Sequence, residues 1–395
     1  MKLIALRRVV LLALTVMLTV VLAACGSDSG STDTAASETS ASAESESGGE
    51  SGGIDYAAML KESKEMVPPE FEGPTEPAAA KPGVKVGIIS CGQLLQGCVE
   101  QAKGAEDAAK IAGWVPRLFD GKLEPTTQNA QILNALSWGA EVILLVAVDP
   151  NAVQTGLSAA KKKGALIAST SNGLSDPNET VEPPAGNVWP AFDVSADFKL
   201  AGEKQAEWIV ADSEGTANVV VYGGKEFPSV VAQQPGVLKV LEECEGCTVS
   251  EVQYFTASQI ATTLGQEVVS YLRTHPDVDY VFSPYDPAST GMVPAIQNAG
   301  LGDRVKLVSF LGNEANLKYI EEGNVQAASG ALAQKYMGFG AIDQSIRSLN
   351  GQPLFEPLGE NTPTQLLTKE DLPPNLVWEP PFDYVQKFTE LWTGG

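Results

Sequence analysis

From residue 84 to residue 321 the apolar positions fall into short continuous runs separated by stretches of helical period. Residues 84–90 (VKVGIIS) form a β-rich run, and 97–112 an amphipathic helix; 114–119 and 127–137 repeat the pair. The run 142–146 (VILLV) is apolar at every position, which marks a strand buried on both faces, as parallel strands are. A helix over 152–163 and a strand over 165–169 complete this series. The rhythm then restarts with a helix over 198–211 and strands over 217–222 and 248–255, separated by a helix over 230–243. It continues with a helix at 260–274, a strand at 278–283, a helix at 287–299, a strand at 306–310 and a helix at 314–321. Strands alternating with helices at this spacing predict doubly wound parallel sheets, and two series of similar size predict two α/β lobes. Ligands of open α/β sheets bind at the carboxyl ends of strands, so two facing sheets imply a cleft between them.

The ends of the chain break the rhythm. Lys2, Arg7 and Arg8 precede an apolar run over 9–24 that only threonines interrupt, the layout of a secretory signal and shorter than a comfortable membrane span. The run ends in Leu22-Ala23-Ala24-Cys25-Gly26, which resembles a bacterial lipobox, and that resemblance implies a lipid on Cys25. Residues 26–53 are almost entirely Gly, Ser, Thr, Ala, Asp and Glu; such a stretch buries too little apolar surface to offset its chain entropy and reads as a spacer. Residues 56–66 can form a lead-in helix, expected to pack on the first lobe, before a proline-rich segment over 68–82. Near the other end, 382–392 reads as a final helix that packs on a lobe.

Charge and candidate chemistry narrow the function classes. A formal net charge of −23 argues against nucleic acid and against anionic membrane surfaces as partners. With Cys25 assigned to lipidation, Cys91, Cys98, Cys244 and Cys247 remain, an even number that in an exported chain suggests two disulfides. Local pairing, Cys91 with Cys98 and Cys244 with Cys247, is favoured; a zinc site of all four and a redox role for Cys244-Glu-Gly-Cys247 are the competing readings. The sole histidine, His275, lies in Arg273-Thr274-His275-Pro276-Asp277, a turn between a helix and a strand, so nucleophilic triads that need it are disfavoured. There is no Gly-x4-Gly-Lys-Ser/Thr phosphate loop and no His-Glu-x-x-His. No cofactor or metal is expected, and the chain reads as a non-enzyme.

Several stretches carry a family resemblance. They are Gly104-Ala105-Glu106-Asp107-Ala108-Ala109, 144–153 (LLVAVDPNAV), Lys199-Leu200-Ala201-Gly202, Thr274-His275-Pro276-Asp277-Val278 and Val281-Phe282-Ser283-Pro284-Tyr285-Asp286. In this order the chain from 84 to about 351 resembles the type I periplasmic binding proteins of the ribose-binding class. Ile89-Ser90-Cys91-Gly92-Gln93 with Gly97-Cys98, and the Trp378-Glu-Pro-Pro-Phe-Asp-Tyr384 tail, are similar to a bacterial subgroup labelled as sugar transporters. The resemblance implies two doubly wound parallel-sheet lobes joined by a three-stranded hinge, crossed near Phe192-Asp193, near Ala331-Leu332 and over 354–359. The expected divisions are a signal at 1–24, an anchored linker at 25–53 and a lead-in at 54–83. The N-terminal lobe is 84–192 with 332–358, and the C-terminal lobe and tail are 193–331 with 359–395.

By position in that family, ligand contacts are expected from Gln93, Leu94 and Leu95 after the first strand, from Asp149, and from Thr170, Ser171 and Asn172 after the fourth. Across the hinge they are expected from Asp193, Gln233, Ser258, Gln259, Tyr285 and Asp286. The family's cleft arginine falls at or beside Gln233, its Phe-Asp pair becomes Phe310-Leu311, and its hinge glutamine falls near Leu332. A sugar clamp needs charged bidentate groups, because each hydroxyl left unpaired costs roughly 1–3 kcal/mol. This set offers amides, hydroxyls and leucines, so an aromatic, organic or amino-acid-like solute stands beside a sugar as the expected ligand. The implied partners are the small solute, the permease and ATPase of an ABC importer, and the membrane through the lipid; the body is expected to be a monomer. A sensor presenting its solute to a membrane receptor is the alternative, followed by an extracellular enzyme using Asp149, Asp193 or Asp286 as acid–base groups.

Overall fold

The computed structural model describes residues 54–172 and 184–393, so the expected signal, the Cys25 anchor and the spacer lie outside the described residues. After helix α1 (Tyr56–Ser63), the first sheet is built from β1 (Lys85–Ser90), β2 (Val115–Asp120), β3 (Val142–Val146), β4 (Leu166–Thr170) and β5 (Asp193–Val194). Its order is β2-β1-β3-β4-β5, all parallel. Helices α2 (Gln96–Ile111), α3 (Pro125–Trp138) and α4 (Gln154–Lys163) make the crossovers. β3 shows why the sheet is central. Val142, Leu144 and Val146 enter one hydrophobic cluster while Ile143 and Leu145 enter another, so alternate side chains are buried on opposite faces.

The second lobe repeats the plan. Its sheet comprises β6 (Asn218–Gly224), β7 (Thr248–Phe255), β8 (Tyr280–Phe282), β9 (Lys306–Leu311), β10 (Gln326–Leu332) and β11 (Thr364–Thr368), in the order β11-β10-β9-β8-β6-β7. Only the β10–β11 pairing is antiparallel. Its helices are α5 (Phe198–Asp212), α6 (Pro228–Glu243), α7 (Ala257–Ile260), α8 (Leu264–Thr274), α9 (Asp286–Asn298) and α10 (Glu314–Glu322). The chain then returns to the first lobe as α11 (Gln334–Asn350), which crosses α2 with Gly104 and Gly338 at the contact. A Cβ on either glycine would overlap the backbone of the other helix.

The lead-in and the tail depart from their expected places. α1 packs on the second lobe, where Tyr56, Met59 and Leu60 meet the cluster around Trp208 and Ile209. The chain then pairs Val67 with Thr364 at the edge of the second sheet, and Phe71 reaches Tyr336, Phe382 and Phe388 on the first lobe. The lead-in is therefore shared between lobes because each half finds a different apolar cluster. The final helix, α12 (Tyr384–Thr393), packs on the first lobe, away from the C-terminal-lobe segment 359–395 to which the sequence assigns it. The cause is aromatic: Phe388 and Trp392 stack against Phe339 of α11, and Trp392 donates its indole N–H to Asp343 at 2.7 Å.

Two disulfides are present among the described residues, Cys91–Cys98 and Cys244–Cys247, with Cα separations of 6.0 and 5.3 Å. The first ties the end of β1 to the start of α2; the second closes the turn after α6. No group of three or more potential metal ligands occurs among the described residues. His275 ends α8 with its ring stacked on Tyr271 at 4.0 Å.

Candidate ligand-binding cleft

The loops after the strands of both sheets face one another across a small, partly open cleft. The first lobe contributes Leu95, Gly97, Cys98 and Gln101 from the disulfide-tied start of α2, with Ala147 after β3 and Ser171 after β4. Ala147 and Ser171 adopt left-handed backbone with φ of 51° and 59°, strain that recurs where strand ends are shaped for binding. The second lobe contributes Phe227, Ser229, Val230 and Gln233 at the start of α6, then Pro284, Tyr285 and Pro287 after β8. Phe198, Phe310 and Leu311 complete the lining. Leu311 holds φ of 118°, and its carbonyl accepts from the Gln334 amide at 3.2 Å.

This chamber is aromatic on one wall and neutral throughout. Tyr285 stands edge-on to Phe227 with ring centroids 5.8 Å apart and tilts against Phe255 at the same distance. Burial, and then the charge of Glu226, hold the Tyr285 hydroxyl well above its ordinary pKa, so it stays protonated. The polar groups are Gln101, Ser171, Ser229, Gln233 and the Tyr285 hydroxyl, and none of the lining side chains carries charge. An adjoining outer chamber shares Ala147 and Phe227 and is flanked by Asp149 and Glu226.

Of the residues expected at the ligand, Leu95, Ser171, Gln233 and Tyr285 line the inner chamber, and Asp149 lines the outer one. The others lie elsewhere, each for a local reason. Gln93 folds back to donate to Ser90 Oγ at 2.7 Å, and Leu94 points outward, 87% exposed. Thr170, Asn172 and Asp193 are buried behind Ser171: Thr170 donates to Gln101 Oε1, and Asp193 accepts from Ser169 and Ser195. Ser258 and Gln259 belong to α7, where Thr256 and Gln259 form its capping box. Asp286 is buried under α9 and accepts from the hydroxyls of Ser309 and Ser329 and the Asn313 amide. Leu332 is buried where β10 meets the hinge. The three aspartates considered for acid–base work are thus bound within the protein: Asp149 caps the turn Pro150–Val153 through the Asn151 amide.

Sequence reasoning missed Gln101, Phe227 and Ser229 in the lining, and Gln334 behind it. Gln101 follows Cys98 by three positions, a spacing that puts both on one helix face once the disulfide fixes where α2 begins. Gln334 stands two residues beyond the apolar Leu332 that was expected at the hinge-glutamine position. Its Oε1 is buried without a partner among the described residues.

Two facing α/β lobes with a neutral, aromatic-walled chamber at their strand ends define a hinged solute-binding protein. The chain belongs to the periplasmic binding protein domain family, whose model matches residues 93–353. It is similar to the ribose import binding protein of Salmonella typhimurium, 24% identical over 253 residues, 63% of this chain and 79% of the relative. The D-ribose/D-allose-binding protein of Pseudomonas aeruginosa is 24% identical over 233 residues, 58% and 70% of the two chains. Among solved structures, an Agrobacterium vitis ABC-transporter solute-binding protein with bound α-D-tagatopyranose matches with TM-score 0.64 and 19% identity, over 73% of this chain and 95% of that one. The Caulobacter myo-inositol binding protein matches with TM-score 0.58 and 20% identity, over 69% and 89%. These likenesses establish the fold as the type I periplasmic one. No helix among the described residues is long and apolar enough to cross a membrane.

Proposed function

We propose that this chain captures a small solute outside the cytoplasm and delivers it to the permease of an ABC importer, whose ATPase drives release. The observation that carries the reading is a chamber lined by the strand-end loops of both lobes, so that a full set of ligand contacts exists only when the lobes are closed. Relatives named for ribose and allose, and fold neighbours solved with tagatopyranose or myo-inositol, support a solute of sugar or polyol size. A lipid on Cys25, followed by the polar spacer, would hold a monomeric body near its transporter; two or more acyl chains suit stable retention. Binding without turnover fits the bound state of Asp149, Asp193 and Asp286.

Thermal-shift screening of the purified protein against sugars, polyols, aromatics and amino acids tests the reading. A true ligand at a hundred times its Kd stabilises by about 2.7 kcal/mol, and Tyr285→Ala should weaken it while leaving the unliganded protein folded. A protein that no small solute stabilises would not be a capture component.

A further inference from the structure

We infer that the solute of the inner chamber is an uncharged amphipathic ring compound, with one apolar face against Phe227 and Tyr285 and one hydrogen-bonding edge between Gln101 and Gln233. This inference rests on the cleft being the solute site.

Charge comes first. In a chain of net charge −23, no Asp, Glu, Lys, Arg or His among the described residues contributes to the wall of this chamber. Two flanking carboxylates, Asp149 and Glu226, line the outer chamber and accept backbone N–H groups of Asn151 and Ala257 at 2.9 and 2.5 Å, while Asp286, between Tyr285 and Pro287, is engaged by Ser309, Ser329 and Asn313. An ion held without a counter-charge forfeits several kcal/mol of hydration, so this neutral lining disfavours a carboxylate or phosphate group, which the Glu226 charge beside Tyr285 would also repel.

The two amides are oriented by networks behind them. Gln101, 3% exposed, takes the Thr170 hydroxyl on Oε1 at 3.1 Å, which leaves its Nε2 as a donor. Gln233, 1% exposed, uses its Nε2 on Gln205 Oε1 at 2.7 Å, and Gln205 in turn donates to the Ser309 carbonyl at 2.6 Å. That relay leaves Gln233 Oε1 as an acceptor. The first lobe therefore presents a fixed donor and the second a fixed acceptor. A ligand hydroxyl satisfies either one, and a ligand amide satisfies both.

Phe227, Val230, Leu95 and Leu311 are apolar, and a ligand hydroxyl turned toward them, away from Gln101, Gln233, Ser171, Ser229 and the Tyr285 hydroxyl, goes unpaired at a cost of roughly 1–3 kcal/mol. A ring with hydroxyls on both faces is disfavoured against one that is deoxygenated, O-alkylated or aryl-substituted on one side.

The test is ligand capture from a low-molecular-weight extract of rich growth medium. The protein is incubated with the extract, washed, denatured, and the released compounds identified by mass spectrometry and reversed-phase retention. The expected compound is neutral at pH 7 and retained longer than free hexoses. Phe227→Ala and Gln233→Leu should each weaken its binding at least tenfold in variants that still fold cooperatively without ligand, although each lowers the unliganded melting temperature by removing buried packing or the bond to Gln205. Release of an anion, a cation or an unmodified hexose would overturn the ligand class while leaving the capture function intact. Capture of nothing from the extract would overturn both.

Discussion

Asp286 sits at the first position of α9, fully buried, with three hydrogen bonds converging on its carboxyl from β9, β10 and the loop before α10. Burial pushes its pKa up to about 7, against the hydrogen bonds that favour the charged form. In the unfolded chain the group titrates near 3.8, its ordinary value. Between these values the folded state holds a proton that the unfolded state has released, so stability is full below about pH 4 and declines as pH rises to about 7. Glu360, buried at the hinge and repelled by Asp343, is shifted in the same direction and adds to the same slope. Urea unfolding should therefore show a higher midpoint at pH 5 than at pH 8, and Asp286→Asn should flatten the difference; an equal slope in the variant would remove Asp286 as its source. The same residue shows where sequence reading stops. An aspartate after a strand reads identically whether it grips a solute or ties loops together. Tyr285, one position earlier, brings a large ring as well as a hydroxyl to the strand end, and its place in the chamber was legible.

Helix crossings explain which elements were legible and which were not. Gly104 of α2 lies against the Lys335 backbone of α11, and Gly202 of α5 lies against the Gln233 carbonyl of α6. Both glycines belong to the stretches on which the family resemblance rests, because each lobe needs a residue without Cβ where two helices cross. Gly104→Ala should destabilise the protein by about 1–3 kcal/mol through overpacking, measured by chemical denaturation, whereas Gly164→Ala, at an open αL cap, is strained by its φ of 72° alone. Equal costs at the two sites would mean that the α2–α11 contact yields. The partner helix α11 was not anticipated, and the reason is physical: from Tyr336 to Arg347 every residue is buried, so it carries no polar stripe for a 3.6-residue period to reveal. β10 was missed for a related cause, since QAASGAL is built of small residues with little β-branched or aromatic content. β3, apolar at every position and buried at every position, was read without difficulty.

At the scale of the whole molecule the lobes are joined more often than the three expected crossings. The lead-in passes from α1 on the second lobe to Phe71 on the first, and the tail passes from β11 back to α12. Such straps sit on the hinge side and leave the cleft side free to open, so closure has to be limited by what meets across the cleft. That contact is identifiable. Gly97, the second residue of α2, faces Leu311 of the second lobe; a Cβ at position 97 would stand 3.1 Å from Leu311 Cδ1 and 3.4 Å from Gln334 Oε1. An alanine asks its neighbours to give by a few tenths of an ångström, and a branched side chain asks for more than the chamber has. Opening the lobes would relieve the contact with Leu311 while leaving the looser one with Gln334 of the same lobe, so a bulky residue there penalises the closed form more than the open one. Gly97→Val should therefore weaken solute binding by tenfold or more, about 1.4 kcal/mol of closed-state penalty, while shifting the unliganded melting temperature little. Paired calorimetric titration and thermal unfolding make the distinction. A variant that melts lower without ligand and binds with unchanged affinity would show that position 97 is ordinary core and that closure is limited elsewhere.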